Sequence, residues 1–411
     1  MGYSSFFAGY YCFFTFIIMC RLSVFSQSTP PSDSSKITYV KPIEADLLYS
    51  YYEQDGDMSP VTGGKGTQAL TDVVSQIKIN IPFKNGQAIS VSIAQDQYSS
   101  ASTDNVNTEI SSASVVDNRR YGNINYSKSS ADDLKSFTIG GGYSTEWDVN
   151  SWNANANLSL TTKNKLNGYA LNFSVFKDNW ELIYPAELRV IALQNKKPFV
   201  DDSIRYSYSG SASFERVLTK KLIFSVSSEI IFQEGLLSTP FHRVFFSDTT
   251  QHTVEYLPSK RIRYPISLNA NYFLNDYMVV KTSFRSYYDT FGVKGQTYKL
   301  EFASKITQWL TLYPFGRYHK QQASKYYAPF QEHVSTEHYY TSDTDLATFE
   351  SYQYGLGLKI NPIYGILSFK ATKKKLLRLF SIQSIDLRYA HYKQTTGLRA
   401  DIISFGTKFK L

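Results

Sequence analysis

Apolar and polar residues alternate with a period of two along one segment after another of this chain. From Trp152 to Leu160, Trp152, Ala154, Ala156, Leu158 and Leu160 share one face, and Asn153, Asn155, Asn157 and Ser159 share the other. In Met278–Tyr288, Met278, Val280, Thr282, Phe284 and Tyr288 oppose Val279, Lys281, Ser283, Arg285 and Tyr287. The same holds for Tyr298–Ser304, where Tyr298, Leu300 and Phe302 oppose Lys299, Glu301 and Ala303. It holds again for Tyr352–Ile360, where Tyr352, Tyr354, Leu356, Leu358 and Ile360 oppose Gln353, Gly355, Gly357 and Lys359. This is the period of a β-strand with one apolar and one polar face, not of a helix.

The pattern predicts about sixteen strands (14–18): 44–53, 70–81, 86–98, 119–128, 134–147, 150–164, 166–177, 203–217, 221–235, 262–273, 277–290, 295–306, 308–321, 347–361, 381–394 and 398–411. Their connections alternate in length. Short ones follow the even-numbered strands, among them Phe83-Lys84-Asn85-Gly86 with its Asn-Gly hairpin signal, Thr219-Lys220 and Asn275-Asp276. The long ones, 54–69, 99–118, 178–202, 236–261 and 322–346, all follow odd-numbered strands. Short turns at one end and long loops at the other are the asymmetry of an outer-membrane barrel. The fold class expected is therefore all-β: a transmembrane antiparallel up-and-down β-barrel over 43–411, with long extracellular loops, short periplasmic turns and both termini periplasmic.

Composition fits. Charged residues are only 19%, aromatics reach 16% with 33 Tyr and 28 Phe, and mean hydropathy is −0.30. No stretch after the first 20 residues approaches the roughly 18 apolar residues of a membrane-spanning helix. Residues 6–19 are an apolar run, followed by Arg21, and Val24 and Ser26 suit the −3 and −1 positions of a cleavage site. A signal peptide is expected at 1–26, off pattern in lacking Lys or Arg within residues 1–5, and a short periplasmic segment at 27–42. Cleavage would remove one Arg and no acid, taking the net charge from +8 to +7. It would also remove both cysteines, Cys12 and Cys20, which excludes disulfides, thiolate zinc sites and cysteine nucleophiles from the mature chain. A nucleic-acid partner is not expected for an exported protein.

Two further segments stand out. Residues 362–380 should form a short turn but are long, and Lys373 to Phe380 reads as a basic amphipathic helical turn, either solvated or a contact for a periplasmic partner or headgroups. The last strand, Ile403 to Leu411, alternates and ends on an apolar residue. It resembles the C-terminal signal read by the barrel assembly machinery, which is therefore an expected partner beside outer-membrane lipid and lipopolysaccharide.

Several strings carry a further resemblance. They are Tyr51-Tyr52-Glu53-Gln54-Asp55-Gly56 followed by Val61-Thr62-Gly63-Gly64, then Tyr98 to Asn105, Ser111-Ser112-Ala113-Ser114, and Asp178-Asn179-Trp180. From about residue 40 onward the chain resembles an uncharacterised family of Gram-negative outer-membrane proteins, known only as a domain of unknown function. The resemblance implies the barrel and brings no catalytic residues with it.

Chemistry-bearing groups concentrate in the long connections. Glu332-His333 and Glu337-His338 lie near Asp343 and Asp345, so His333, His338, Asp343 and Asp345 are the metal-ligand candidates, with His242 and His252 in another loop able to approach. Asp55-Gly56-Asp57, Asp201-Asp202 and Asp343-Thr344-Asp345 offer oxygen ligands of the kind Ca²⁺ takes, in none of the EF-hand frames. No other cofactor is expected. Gly63-Gly64-Lys65-Gly66-Thr67 lacks the phosphate-loop frame and reads as a flexible first loop. Ser384, Asp386 and His391 fall on one strand with His391 on the opposite face from Asp386, and no GxSxG is present, so an enzyme is not expected.

The polar strand faces should line a lumen. The candidates are Lys281, Arg285, Lys299, Glu301, Lys305, Lys359, Asp386, Arg388, Lys408 and Lys410. Lys and Arg outnumber Asp and Glu there, which favours anions if the pore is open. The expected function is a porin-like channel or small-solute transporter of the outer membrane. The alternative is a closed barrel serving as scaffold, receptor or accessory subunit, with a periplasmic or surface protein partner.

Overall fold

The structure is a computed structural model that describes residues 42–99, 116–189, 199–371 and 378–411. The expected signal peptide, most of the segment after it, Ser100 to Asn105, Ser111 to Ser114 and Lys373-Lys374-Lys375 lie outside those residues.

Among the described residues, nineteen strands occur in chain order. They are β1 (Glu44–Asp55), β2 (Leu70–Pro82), β3 (Gln87–Ser99), β4 (Val116–Ser129), β5 (Lys135–Thr145), β6 (Val149–Thr161), β7 (Asn167–Trp180), β8 (Ile204–Thr219) and β9 (Leu222–Gly235). There follow β10 (Arg243–Phe245), β11 (His252–Val254), β12 (Lys260–Phe273), β13 (Met278–Asp289), β14 (Lys294–Lys305), β15 (Leu310–Gln322), β16 (Phe349–Ile360), β17 (Leu367–Ala371), β18 (Arg378–Gln394) and β19 (Arg399–Lys410). β1 pairs with β2 on one side and β19 on the other, so the sheet closes on itself. β9 pairs with β12 and β16 with β18, all antiparallel. Setting aside β17, the seventeen-stranded sheet is a closed barrel of sixteen strands. β10 and β11 form a separate hairpin inside a loop.

Each of the sixteen expected strands is present within a few residues. The alternation explains why. In a closed barrel every backbone N–H and C=O is paired in the wall, so strands can cross lipid if one face is apolar. Cross-strand partners share a face, so register assigns the faces. Ile93, Ile124, Ile139 and Leu356 are exposed on the outer wall, where lipid would cover them. Toward the loop end, Tyr264 and Tyr288 stack across β12–β13, and Tyr298, Tyr318 and Tyr352 run across β14–β16 at 5.1–6.3 Å. Toward the other end Phe83, Tyr277, Trp309 and Tyr364 are exposed. Two aromatic belts around an apolar band are the outer surface of a membrane barrel.

The turn ends are tight. Asn85 and Gly86 both take positive φ, 61° and 71°, as the type I′ hairpin expected of Asn-Gly requires. One expectation is corrected. Arg378 to Phe380, the described end of the expected basic helical turn, are extended strand, and the rest of that turn lies outside the described residues. β17 pairs with the first five residues of β18, Leu367 against Ile382 through Ala371 against Arg378, so the described ends of the segment pair as antiparallel strands that prolong the wall. The Leu-Ser-Phe and Leu-Phe-Ser strings pair there because an extended strand satisfies its backbone and a single helical turn does not.

The opposite end carries eight connections: L1 (56–69), L2 (100–115), L3 (146–148), L4 (181–203), L5 (236–259), L6 (290–293), L7 (323–348) and L8 (395–398). Among the described residues, the buried apolar clusters lie in these loops and at the mouth below them. Tyr184, Leu188, Val200, Leu236 and Val254 join L4 to L5. Leu257, Phe291, Val293 and Leu346 join L5, L6 and L7. Each fully buried side chain of this size contributes roughly 1.5–3 kcal/mol. The loops thus have a core of their own, while the barrel is held by its strand ladder.

Candidate functional site

Two neighbouring features bear chemistry, the inner wall and the loop cap. On the wall, register places Lys281 opposite Glu301, Ser283 opposite Lys299, Arg285 opposite Thr297, Lys299 opposite Arg317, and Lys359 opposite Asp386. Arg388 pairs with Gly357 and Ser404, and Lys408 with Asp46 and Ser384. Lys305 and Lys410 follow the same parity through Thr311 and Glu44. All ten lumen candidates are therefore on the inward face. They are knit together. Lys281 Nζ lies 2.8 Å and Lys299 Nζ 3.5 Å from Glu301, and Lys408 Nζ lies 2.7 Å from Glu44. Arg388 stacks 3.9 Å above the Phe315 ring, and the Tyr313 hydroxyl donates to Asp386.

Glycines make that paving possible. Phe315 lies over Gly355 and Tyr313 over Gly357, where a Cβ would collide with either ring. Across the ring the wall is different. β6 to β8 turn Asn153, Asn155, Asn157, Ser174, Ser209 and Ser211 inward, with Ser174 and Ser209 sharing a hydrogen bond of 2.7 Å. This largely Ser/Asn arc, whose charged inward residues are the Asp178–Arg205 pair at the mouth and Glu215 near the turns, faces an arc bearing Arg317, Lys359, Arg388 and Lys408. Lys281 and Lys408 keep 45% and 41% of their side-chain surface exposed.

The mouth above is covered. L1 leaves between β1 and β2, and L5 between β9 and β12, eight places round a ring of sixteen. At a strand spacing of ~4.8 Å and a tilt of about 40°, such a ring is about 30 Å across. Yet the two loops touch. Arg243 Nη1 donates to the Val61 carbonyl at 2.6 Å, Val61 packs on Phe241, and Phe245 lies against Gly63. Gly63 has φ 85°, and a Cβ there would stand 2.5 Å from the Phe245 ring. L1 is therefore a folded element rather than a flexible one. L4 joins through Glu187, whose carboxylate accepts from Arg243 Nε at 2.6 Å, and through Asp201, which accepts from the Tyr256 hydroxyl. The Arg243 bond holds the Glu187 carboxyl below the usual range against the burial that would raise it, and the Asp201 bond pushes the Tyr256 hydroxyl up to about 12. L7 joins L5 by the paired backbone bonds of Tyr256 and Tyr340, 3.1 and 2.9 Å, and joins L1 through Gln68 and Thr344.

Inside the cap lies a buried polar centre. His242, Glu255 and Asp343 are 1%, 2% and 6% exposed, with one donor atom of each within 4.8 Å of the others. Glu255 accepts from Thr239 N at 2.7 Å and from the Thr341 hydroxyl. Asp343 accepts from Asp345 N at 3.0 Å. His242 Nδ1 is 3.8 Å from Glu255, and neither of its ring nitrogens has a hydrogen-bond partner. Burial raises the Asp343 and Asp345 carboxyls; His242 pulls the first back down, and Asp343 pushes the second higher still.

The sequence-derived metal candidates are thus divided. His333 is buried, but Nδ1 bonds Glu337 and Nε2 stands 2.9 Å from the Thr341 carbonyl, so both nitrogens are used within L7. His338 is exposed and packs edge-on against Tyr339 and Tyr256. Asp345 is half-buried, with Oδ2 enclosed and unpartnered. Only Asp343 meets a histidine, and that is His242 from L5. Glu255 was not singled out in the sequence. Its signal is a lone carboxylate between Val254 and Tyr256-Leu257 in an apolar string. His252 stacks on Phe245 at 4.9 Å, outside the centre. His391 bonds Asp401 at 2.9 Å on the outer wall, away from Asp386.

A closed sixteen-stranded antiparallel barrel with an apolar outer band, short turns at one end and long loops at the other is an outer-membrane β-barrel protein. Within that class the chain belongs to the family described as "Protein of unknown function (DUF3570)", which matches residues 19–362. No curated protein matches the sequence. Among solved structures it is similar to a bacterial polysaccharide outer-membrane secretin, with TM-score 0.46 and 10% identity over 89% of this chain and 98% of that one. It is also similar to a mutant TodX monoaromatic hydrocarbon channel, with TM-score 0.41 and 9% identity over 90% of each chain. A third similarity is to OccK1 (OpdK) of Pseudomonas aeruginosa, with TM-score 0.38 and 6% identity over 90% of this chain and 98% of that one. Among the described residues, members of the strings that carry the family resemblance lie at the cap. Gln54 Nε2 donates to the Gln68 carbonyl, Asp178 pairs with Arg205 at 2.8 Å, and Trp180 packs on both L4 and L5 clusters.

Proposed function

We propose that this protein is a non-enzymatic small-solute channel whose lumen prefers anions and whose outer mouth is controlled by the loop cap. The observation that carries the reading is the inner wall: cationic side chains on β13–β19 face an arc on β6–β8 that is mostly Ser and Asn, where Arg205 is paired with Asp178 and Glu215 adds an acid near the turn end. Such a wall sets up a positive potential across a wet lumen, which raises the local concentration of anions. A filled structural barrel would have little use for exposed ammonium groups in its interior.

Planar-bilayer recording of the purified, refolded barrel tests this. Discrete conductance steps and an anion-selective reversal potential in a salt gradient are expected. The double variant Lys359→Glu, Lys408→Glu should keep the steps and lose or reverse the selectivity. Unchanged selectivity in that variant would overturn the assignment of the basic arc.

The interlocked cap favours a second reading, a closed barrel that acts as scaffold, receptor or accessory subunit. A heat-modifiable but electrically silent barrel, silent also when the cap is loosened, would support it. Co-purification would then seek a surface partner at the cap or a periplasmic one at the β17–β18 pair. Lipopolysaccharide around the loops and the assembly machinery are the partners proposed in either case.

A further inference from the structure

We propose that His242, Glu255 and Asp343 bind one divalent transition-metal ion of the zinc class, which staples L5 to L7 above the barrel mouth. The three side chains come from two loops and meet in the interior of the cap, away from solvent. Two observations point to a ligand rather than to a packed polar cluster. The imidazole of His242 is almost wholly enclosed, and both its nitrogens lack a hydrogen-bond partner. Buried polar groups are otherwise nearly always paired, and leaving one unpaired is costly. Second, Glu255 and Asp343 bring two carboxylates to one enclosed volume, where Arg261 acts on Asp343 from nearby but gives hydrogen bonds to Asp289, through Nε at 2.9 Å and through Nη2. An uncompensated buried carboxylate is expensive unless it is protonated, paired or bound to a cation.

The donor set selects the ion. One imidazole nitrogen and two carboxylates, with no thiolate, suit zinc and its neighbours in the first row. Calcium takes six to eight oxygens and has no use for the imidazole. Bonds of about 2.1 Å in a tetrahedral shell place donor atoms about 3.4 Å apart. The 3.8 Å from His242 Nδ1 to Glu255 is near that already. The carboxylates are oriented from behind, Glu255 by Thr239 and Thr341 and Asp343 by the Asp345 amide, as metal-binding carboxylates are. A water completes the shell. An ion held here ties strands β9 and β12 to β15 and β16 through their loops.

The proposal does not depend on whether the lumen conducts, because it is read by binding alone. The full-length refolded barrel, stripped with a chelator, is titrated with Co²⁺ followed optically and with Zn²⁺ in competition. One equivalent of Co²⁺ with the intense visible bands of a four- or five-coordinate site is expected, displaced by one equivalent of Zn²⁺ and not by millimolar Ca²⁺. His242→Ala and Asp343→Asn should each weaken binding by tenfold or more while the barrel remains heat-modifiable, and His252→Ala should bind as the parent does. Binding of less than one equivalent by the parent barrel would overturn the site outright, whatever the variants do. Equal displacement by Ca²⁺ would overturn the zinc-class assignment. Undiminished binding in both His242→Ala and Asp343→Asn would overturn the choice of ligands.

Discussion

Glu146, in the three-residue L3 turn, shows how burial sets the behaviour of a single residue. Its side chain is enclosed, the Tyr98 hydroxyl donates to one carboxylate oxygen, and the other oxygen has no partner. Burial first, then the nearby charges of Asp148 and Asp96, push its acid up to about 8. The sign follows from linkage. Below the ordinary glutamate range the group is neutral whether folded or not. Between about 4.5 and 8 the folded turn keeps a proton that an unfolded chain releases, so stability falls as pH rises through that window. The temperature at which the folded band disappears on a denaturing gel should accordingly drop between pH 5.5 and pH 8.5. Glu146→Gln should flatten that drop, and an equally steep drop in the variant would show that Glu146 is not its source. The same accounting separates His333 from His242. Adjacent Glu-His pairs and Asp-Thr-Asp in 332–345 draw attention to L7, and Asp343 does belong to the buried centre. Sequence proximity could not say that His333 spends both nitrogens on its own loop, or that the free imidazole comes from a residue about a hundred positions earlier.

At the scale of the element, a strand is read from its own residues and a loop is not. Alternation, Asn-Gly turns and the short-long rhythm of connections mark all sixteen barrel strands, because period two is a local property that lipid and water on opposite faces impose. L1 meets L5 through residues 182 positions apart, and L1 meets L7 through residues 276 apart. No local periodicity encodes those meetings, so the cap was invisible until the barrel had closed. β16 shows a finer device that the alternation obscured. Its inward positions 355 and 357 are glycines not because the strand is weak there but because the rings of Phe315 and Tyr313 need the space. Gly357→Val should drive the Tyr313 ring off the wall, break its bond to Asp386 and overpack the site by roughly 1–3 kcal/mol. The gel transition should move to lower temperature, and any single-channel conductance should fall as the ring enters the lumen. Adding Tyr313→Ala to the same strand pair should restore both. Failure of the second substitution to restore either would mean the valine acts on the backbone ladder instead.

The molecule as a whole is two structures with different sources of stability. The wall is held by a closed hydrogen-bond ladder, the cap by small apolar cores and a few charged clasps. Arg243 is the clasp that reaches furthest. From L5 it binds the Val61 carbonyl on the far side of the ring and the Glu187 carboxylate of L4, with its own side chain largely buried. Hydrogen bonds to a charged group contribute about 1.5–3 kcal/mol when shielded, and the half-exposed Glu187 partner reduces that through solvent screening. A net change near 1.4 kcal/mol already shifts an equilibrium tenfold. Arg243→Ala should therefore raise the open population of the cap about tenfold while leaving the wall intact. Proteolysis of L1 and L5 in the refolded barrel should speed up by that factor, and the gel transition of the barrel should not move, because no strand pairing involves the Arg243 side chain. If the lumen is wet and the cap is its gate, the same substitution lengthens open times in the bilayer. Raised salt should mimic it in the parent protein by screening the Glu187 pair, and should have no further effect on the variant. Unchanged protease sensitivity would show that the apolar cores alone hold the loops closed. Faster proteolysis with a silent bilayer would separate a mobile cap from a conducting pore and leave the closed-barrel reading standing.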